Sequence, residues 1–344
     1  MTATAEAPVL LDPRAVLRVA GVGGLEEAVL HDVSRSHSVT LAELPDGRAF
    51  VVKQVSPTAR AAGRSLAAEL YAYRLASWRP ALAAALPTPV HLDERRQVLA
   101  LVAAAPWQLY EAQAGDDAFP STSLATALGR ALAAVHTSTS GQPLLADVAC
   151  GVLHLPDTDE QGWRLGDESA GAWEVAREAA GDAVLAPVLR EAAASLRPSC
   201  LVHGDVKWDN TVLDPGRVLL FDWELSGSGD PAWDLGCALA ETSTLPVRLG
   251  GADPAEAAGW LRPSAVALLA GYIEWRSVEA DLARRAVLCW VGRTVHLALE
   301  CAGAMGSGAM GAGSEVVVDL LASARRLAAV RDDVVGRVER VLRP

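Results

Sequence analysis

The sequence predicts an α+β fold in two parts: a small antiparallel β-sheet lobe with one helix, followed by a larger, mainly helical lobe. Short β-type runs and turn residues alternate between residues 25 and 101, and one helical stretch interrupts them. Beyond Pro106, long alanine-rich stretches have a helical period. The chain has 344 residues, enough for two such parts, which we divide into residues 1–105 and residues 106–344.

The first part is predicted to contain five strands. They are expected over residues 25–33, 39–44, 48–55, 90–93 and 97–102. The turn signal Pro45-Asp46-Gly47 separates the second strand from the third. One helix is expected over residues 65–78, because Leu66, Leu70 and Tyr73 recur on one helical face.

The second part is predicted to consist of helices on both sides of a central loop at residues 203–230. The helices are expected over residues 123–137, 170–196, 231–241, 262–275, 280–302 and 315–342. The glycine-rich residues 303–314 are interpreted as a linker or mobile loop rather than a ligand-binding loop.

Composition excludes several classes of protein. The formal net charge is −12 at pH 7, which argues against a partner that is nucleic acid. Five cysteines without a CxxC pair indicate reduced thiols rather than a disulfide framework or a zinc site. No uncharged stretch reaches the ~20 residues of a membrane helix, and the N-terminus does not look like a signal peptide. We therefore expect a cytoplasmic protein with no membrane partner.

The central loop carries a set of oxygen ligands. Two apolar runs around the Asp214–Arg217 turn predict a hairpin, with Asp205 and Asn210 before its first strand and Asp222 after its second. The three side chains are therefore expected to converge at one end of the hairpin. Aspartate and asparagine oxygens are hard ligands that suit Mg²⁺, a cation that takes its other ligands from phosphates and water.

The same segment carries a family resemblance. Residues 203–210, HGDVKWDN, resemble the catalytic loop of the protein-kinase-like fold in the form found in the aminoglycoside phosphotransferase superfamily, and Asp222-Trp223-Glu224 is similar to its metal-binding motif. The resemblance implies a bilobal protein-kinase-like fold and an enzyme that moves the γ-phosphoryl of ATP or GTP to a hydroxyl with Mg²⁺. It implies that Asp205 orients the acceptor and takes its proton, while Asn210 and Asp222 hold the metal on the nucleotide.

The resemblance also implies nucleotide-binding residues in the first part. Lys53 ends a predicted strand, as the nucleotide-binding lysine of this fold does. Glu69 is its expected partner, because a lone carboxylate on the buried face of the helix would be costly. Ser36 and His37 lie in the loop at residues 34–38, where the family closes over the phosphates, although the glycine pattern of protein kinases is absent there.

Lysine and asparagine are rare in this chain. Of the 30 basic residues, 28 are arginines, and the two lysines are Lys53 and Lys207; Asn210 is the only asparagine. Lys207 lies two residues after Asp205, where the loop of Ser/Thr protein kinases has a lysine that contacts the γ-phosphate. Because arginine has replaced lysine almost everywhere else, we interpret Lys207 as a catalytic residue rather than a solvated surface cation.

Three hypotheses concern the function: two differ in the acceptor, and one has no catalytic activity. The two motifs are similar in sequence to those of phosphotransferase-like kinases of ribosomal peptide biosynthesis, of lanthipeptide or thioamitide type. Those kinases phosphorylate Ser/Thr of a precursor peptide, and a separate partner lyase then eliminates the phosphate. The alternative is a small-molecule antibiotic O-phosphotransferase of aminoglycoside type, for which an acidic protein would suit a cationic acceptor. The second alternative, a nucleotide-binding pseudokinase scaffold, conflicts with the intact set of predicted site residues.

Overall fold

A computed structural model describes most of the chain, in ten ranges. These are residues 10–34, 37–61, 65–103, 121–142, 147–148, 150–159, 169–214, 217–248, 260–304 and 314–343. The chain forms two compact units, one of Met1–Leu109 with Asn210–Ser226 and one of Tyr110–Asp209 with Gly227–Pro344. The segment Asn210–Ser226 thus belongs to the unit that contains the sheet. The sequence pattern did not predict this, because the segment lies within residues 106–344. The division at residue 105 into a nucleotide-binding and an acceptor-binding lobe stays a prediction about function.

The first unit contains a five-stranded antiparallel sheet. Its strands are β1 (Val29–Asp32), β2 (Ser38–Glu43), β3 (Ala49–Gln54), β4 (Pro89–Asp93) and β5 (Val98–Val102), in the order β1-β2-β3-β5-β4. In the central strand β3, Phe50 and Val52 belong to the buried core on one face. Successive side chains alternate between the two faces of a strand, so Lys53 lies on the opposite face from Phe50 and Val52.

Among the described residues of this unit, four helices accompany the sheet, and the prediction of a single helix was therefore wrong. They are α1 (Pro13–Val19), α2 (Pro57–Ala61), α3 (Ala67–Ala76) and α4 (Pro80–Ala83). The three additional helices all begin at a proline, which is pre-organised for the first helical position. In α1, the side chain of Asp12 also accepts the backbone N–H of Arg14 as a cap. Helices of four to seven residues are too short to produce a hydrophobic period.

The second unit is mainly helical. Its helices are α5 (Thr122–Ser138), α6 (Ala170–Gly181), α7 (Leu185–Ser195), α8 (Pro231–Arg248), α9 (Pro263–Ile273), α10 (Leu282–Ala304), α11 (Glu315–Ala329) and α12 (Arg331–Leu342). A short two-stranded sheet pairs β6 (Cys200–Val202) with β9 (Gly227–Gly229). The α+β fold class is confirmed. Most of the glycine-rich segment, at residues 305–313, lies outside the described residues.

Two long predicted helices are each divided in two, which corrects the sequence analysis. The helix expected over residues 170–196 breaks because Asp182 has an extended backbone and its Oδ1 accepts the N–H groups of Val184 and Leu185 as a new cap. The helix expected over residues 315–342 breaks at Val330, whose φ of −109° and ψ of 13° leave the helical region. Short breaks of this kind leave the hydrophobic period almost unchanged, so the period predicts one helix.

Helix α10 forms the centre of the second unit, where it packs against α6, α7, α8, α11 and α12. Its approach to α8 is close at Gly236, where a Cβ atom would lie 2.5 Å from the Cβ of Cys289. Only glycine allows the two backbones to come this near. None of the helices in the described ranges has the length and apolarity needed to span a membrane.

Candidate active site

The first unit contains a cluster of Lys53 with three carboxylates, Glu69, Asp222 and Glu224, which we call the lysine cluster. The Nζ of Lys53 lies 2.7 Å from Oε2 of Glu69, 3.7 Å from Oε2 of Glu224, and in hydrogen-bond contact with Oδ1 of Asp222. The structure thus brings together Lys53 and Glu69, which the sequence placed on a strand and a helix, and adds Asp222. The side chains of Lys53 and Glu69 are 10% and 2% exposed.

The lysine cluster has an excess of negative charge. Burial alone would lower the pKa of Lys53, but the carboxylates of Glu69, Asp222 and Glu224 together raise it above its ordinary value. Burial raises the pKa of Glu69, and the ammonium of Lys53 opposes that rise. One ammonium faces three carboxylates, so the cluster favours the arrival of a further cation.

A hairpin positions Asn210 and Asp222. It is formed by β7 (Thr211–Asp214) and β8 (Arg217–Leu220), and the N–H of Phe221 donates to the backbone oxygen of Asn210 at 3.1 Å. The two predicted metal ligands therefore flank the same end of the hairpin, as the sequence analysis expected.

Asp222 has an unusual backbone conformation, with φ of 65° and ψ of 58° in the left-handed region. Aspartate tolerates this region better than most residues, and such conformations often occur at functional sites. The next residue, Trp223, is fully buried and donates from Nε1 to the backbone oxygen of Leu220 at 2.7 Å. This anchor fixes the chain immediately after Asp222.

The oxygen atoms present fit a hard divalent cation. Asn210 and Asp222 offer an amide and a carboxylate oxygen, and the surplus negative charge of the lysine cluster lies at Asp222 and Glu224. Among the described residues, no group of three or more His, Cys, Asp or Glu is arranged to hold a metal by itself. Few protein ligands suit Mg²⁺, because this ion keeps water and phosphate oxygens around it.

Of the two residues predicted to contact the phosphates, Ser36 and His37, the structure describes only His37. Ser36 lies outside the described residues. His37 is buried, at 3% exposure, and its Nε2 lies 2.9 Å from Oε2 of Glu224. His37 therefore contacts the lysine cluster through the carboxylate of Glu224.

The second unit holds Asp205 between two cations. Oδ2 of Asp205 accepts a hydrogen bond of 2.6 Å from Nζ of Lys207, and Oδ1 lies 3.1 Å from Nη2 of Arg293 in an ion pair. Burial alone would raise the pKa of Asp205, but Arg293 and Lys207 lower it well below its usual range. Asp205 is therefore an ionised carboxylate with a cation at each oxygen.

Arg293 was not among the residues predicted from the sequence, and it lies on α10, far along the chain from Asp205. Its guanidinium also hydrogen-bonds Oε1 of Glu300 at 2.9 Å and Nδ1 of His296 at 2.9 Å, while Glu241 lies 4.0 Å away. The spacing of Arg293, His296 and Glu300 along one face of α10, in a stretch that is mainly apolar, was the available signal.

Asp234 supports the backbone of the loop that contains Asp205. Its carboxylate accepts the N–H groups of His203 at 2.7 Å and Gly204 at 3.0 Å, and it lies 3.0 Å from Nε2 of His136. The N–H of Asp205 donates to Nδ1 of His203 at 3.3 Å. His203 is fully buried, and this contact uses its ring nitrogen to hold the loop, so the geometry gives it a structural role.

Comparisons with known proteins identify the family and the fold. A family model described as the phosphotransferase enzyme family (APH) matches residues 30–286. A choline/ethanolamine kinase family protein from Mesorhizobium loti is similar over 96% of this chain and 98% of its own, with 17% identity and a TM-score of 0.56. The amicoumacin kinase hAmiN, solved with AMP-PNP, Ca²⁺ and Ami, is similar over 94% of both chains, with 16% identity and a TM-score of 0.57.

A further similar structure is an aminoglycoside phosphotransferase from Alicyclobacillus acidocaldarius, which shares 15% identity over 97% of both chains with a TM-score of 0.53. No curated protein sequence matches the chain. Because the identities are low, these structures bear on the fold, and they confirm the predicted protein-kinase-like fold.

Proposed function

The chain belongs to the phosphotransferase enzyme family, and on this premise we propose that it uses ATP with Mg²⁺ to phosphorylate a hydroxyl group. The observation that carries the proposal is Asp205, an ionised carboxylate on an HGD loop with Lys207 at 2.6 Å. In this reaction the acceptor oxygen bonds to the γ-phosphorus while the bond from that phosphorus to its bridging oxygen breaks. ADP leaves, and the hydroxyl proton passes to Asp205.

The lysine cluster would bind the nucleotide. Lys53 is buried and held by Glu69, an arrangement that aims a fixed ammonium at phosphate oxygens. Lys53 would exchange its contact with Asp222 for the phosphate oxygens, because the metal would then neutralise the carboxylate of Asp222. AMP-PNP in the structure of hAmiN supports an adenine nucleotide as the donor, with GTP as the alternative.

Asn210 and Asp222 would hold the divalent cation. The excess negative charge around Lys53 supports this assignment, because the cation would neutralise carboxylates that one ammonium leaves unbalanced. A bound Mg²⁺ would supply charge neutralisation on the transferring phosphoryl group.

Asp205 would orient the acceptor more than deprotonate it. A carboxylate with a lowered pKa is a weak base, and the loose transition state of phosphoryl transfer requires positioning and charge stabilisation above all. Lys207 has a flexible stem and a side chain that is 23% exposed. It would leave Oδ2 of Asp205 and neutralise the γ-phosphoryl oxygens, which frees that carboxylate oxygen for the acceptor.

Our first candidate acceptor is a Ser or Thr hydroxyl of a ribosomal precursor peptide. Lys207 supports this candidate, because a lysine two residues after the aspartate is the arrangement of Ser/Thr protein kinases, and here it contacts the aspartate. The phosphate ester would then be a leaving group for elimination, which a separate partner lyase would catalyse.

The second candidate acceptor is a small molecule. Similar structures carry the names of an amicoumacin kinase, an aminoglycoside phosphotransferase and a microcompartment-associated aminopropanol kinase. These names favour an antibiotic or another amine-bearing alcohol as the acceptor, and the net charge of −12 suits a cation.

One panel experiment tests the function and separates the acceptors. The protein is incubated with ATP or GTP and Mg²⁺, together with Ser/Thr peptides, aminoglycosides or small amino alcohols, and mass spectrometry detects a phosphate gain. Asp205→Asn should abolish the gain, whereas Asp209→Asn, the same change at an exposed position of the same loop, should retain it. A phosphorylated peptide selects the first candidate and a phosphorylated small molecule the second. ADP formation and phosphate gain that are equal in wild type and Asp205→Asn would contradict the proposed role of Asp205.

A further inference from the structure

A fully buried arginine lies behind the candidate catalytic aspartate. Arg293 is 0% exposed and sits in the middle of α10, the central helix of the second unit. Burying a guanidinium is costly unless anions satisfy it. Arg293 meets Glu300 at 2.9 Å and Glu241 at 4.0 Å, and it also reaches Asp205 at 3.1 Å. The last contact ties the loop of Asp205 to the central helix of its unit.

The two cations on Asp205 differ in mobility. Lys207 belongs to the same loop and has a partly exposed, flexible side chain, so it can move to a phosphate group. Arg293 belongs to a helix of 23 residues and has the planar fork of a guanidinium, which is suited to a fixed geometry. His296 Nδ1 and Glu300 Oε1 both contact the Nη1 of this fork. They leave Nη2 facing Oδ1 of Asp205.

We propose that Arg293 is a positioning residue for phosphoryl transfer: it holds Oδ1 of Asp205 so that Oδ2 is presented to the acceptor hydroxyl. The inference rests on the proposed function, because it takes Asp205 as the group that meets the acceptor. It adds that the two carboxylate oxygens have separate tasks. Oδ1 stays with Arg293 throughout, while Oδ2 exchanges Lys207 for the acceptor hydroxyl and receives its proton.

The charge of Arg293 also keeps Asp205 ionised. The other titratable groups that act on Asp205, or on the guanidinium behind it, are His203 and Lys207 on its own loop, Cys237 and Glu241 on α8, and His296 and Glu300 on α10. The charge of Arg293 is the largest single contribution that lowers the pKa of Asp205, followed by the charge and the hydrogen bond of Lys207. Its removal therefore raises that pKa, and activity is lost on the acid side at a higher pH.

The test compares two buried arginines of the same helix. Arg293→Gln and Arg293→Lys are matched with Arg285→Gln and Arg285→Lys, because Arg285 is 1% exposed and pairs with Asp230, Asp281 and Glu279. Thermal unfolding and circular dichroism measure folding. Phosphorylated product and ADP are then measured as a function of pH with ATP, Mg²⁺ and each acceptor of the panel.

We expect Arg293→Gln to lower kcat by about 10²-fold, as for a misplaced reacting group, with the KM for ATP unchanged. Its acid limb should lie about 1–3 pH units above that of the wild type. Arg293→Lys should retain the acid limb, because it keeps the charge, yet recover only part of kcat. The Arg285 variants should lose stability without a change in the pH profile. If Arg293→Gln does not fold, Arg293→Lys decides: a reduced kcat supports the inference, and a wild-type kcat overturns it.

Two negative results are distinguishable. If the wild type turns over an acceptor and the Arg293 variants behave like the Arg285 variants in kcat and pH profile, the positioning role is overturned and the proposed function stands. If the folded wild type forms neither ADP nor a phosphorylated product with any member of the panel, the proposed function is overturned, and the inference with it.

Discussion

The geometry of the lysine cluster predicts a specific effect of Lys53→Met on the free energy of unfolding. The Lys53–Glu69 pair is buried on both sides, at 10% and 2% side-chain exposure. Methionine keeps an unbranched apolar stem of four heavy atoms but removes the charged end of the lysine. Glu69 is then left as a buried carboxylate near Asp222 and Glu224, which is the costly way to break a buried ion pair. We therefore expect the variant to fold with a much lower free energy of unfolding.

The magnitude follows from the proton that Glu69 can take up. Protonation relieves the buried charge, and it costs about 1.4 kcal/mol for each pH unit above the ordinary pKa of the group, which is 4.5 for glutamate. At pH 7 this cost reaches about 3.5 kcal/mol, which is the upper bound of the loss relative to wild type, because the pKa of Glu69 is already raised in the wild type. Without Lys53 the folded-state pKa of Glu69 rises further above its unfolded value, so folded Glu69 holds a proton that unfolding releases. The loss should thus be small near pH 4.5 and grow as the pH rises, by at most about 1.4 kcal/mol per pH unit.

Urea denaturation of wild type and variant at several pH values between about 4.5 and 7.5 measures this loss. Arg48→Met is a matched control, because Arg48 pairs with Asp46 at the surface, with side chains half exposed, and such exposed pairs contribute little to stability. The double variant Lys53→Met with Glu69→Leu should recover most of the stability. A loss for Lys53→Met that is no larger than for Arg48→Met, or that does not change with pH, would refute the reasoning.

Three further predictions concern the second unit. Lys207→Arg should remain folded and lose much of kcat, because a planar fork replaces the compact ammonium; a wild-type rate in the panel assay would return Lys207 to a surface role. Asp234→Asn should lower the free energy of unfolding by about 1–3 kcal/mol, because the carboxylate accepts two loop N–H groups; an unchanged urea midpoint would contradict this support. Burial raises the pKa of Cys150 and Cys200 to about 12. Maleimide at pH 8 should therefore label them only after unfolding, and rapid labelling of the native protein, read by mass spectrometry, would be inconsistent with their burial.

Local patterns predicted the parts of the site that lie close together in sequence. The hairpin that brings Asn210 and Asp222 to one end follows from two apolar runs around a turn. For the Lys53–Glu69 ion pair the family resemblance indicated the lysine, and the place of Glu69 on a buried helical face indicated its partner, because a lone carboxylate there would be costly to bury. In both cases the backbone period fixes the direction of the side chain.

Contacts between residues distant in sequence could not be predicted in this way. Arg293 meets Asp205 across 88 residues of the chain, and His136 meets Asp234 across 98. Such pairs depend on how α5, α8 and α10 pack, which the period of a single helix does not specify. The breaks at Asp182 and Val330 were missed for a related reason, since a cap or a change in dihedral angles at one residue leaves the apolar pattern intact.

The central claim is that this chain transfers a γ-phosphoryl group to a hydroxyl by means of Asp205. The most direct measurement follows γ-labelled ATP by mass spectrometry, in wild type and in Asp205→Asn, with the panel of peptide and small-molecule acceptors. The label should appear on an acceptor hydroxyl with the wild type, and the rate should fall by about 10²-fold or more with the variant. Label that stays in ATP with the folded wild type, or that reaches the acceptor equally fast with Asp205→Asn, would contradict the claim.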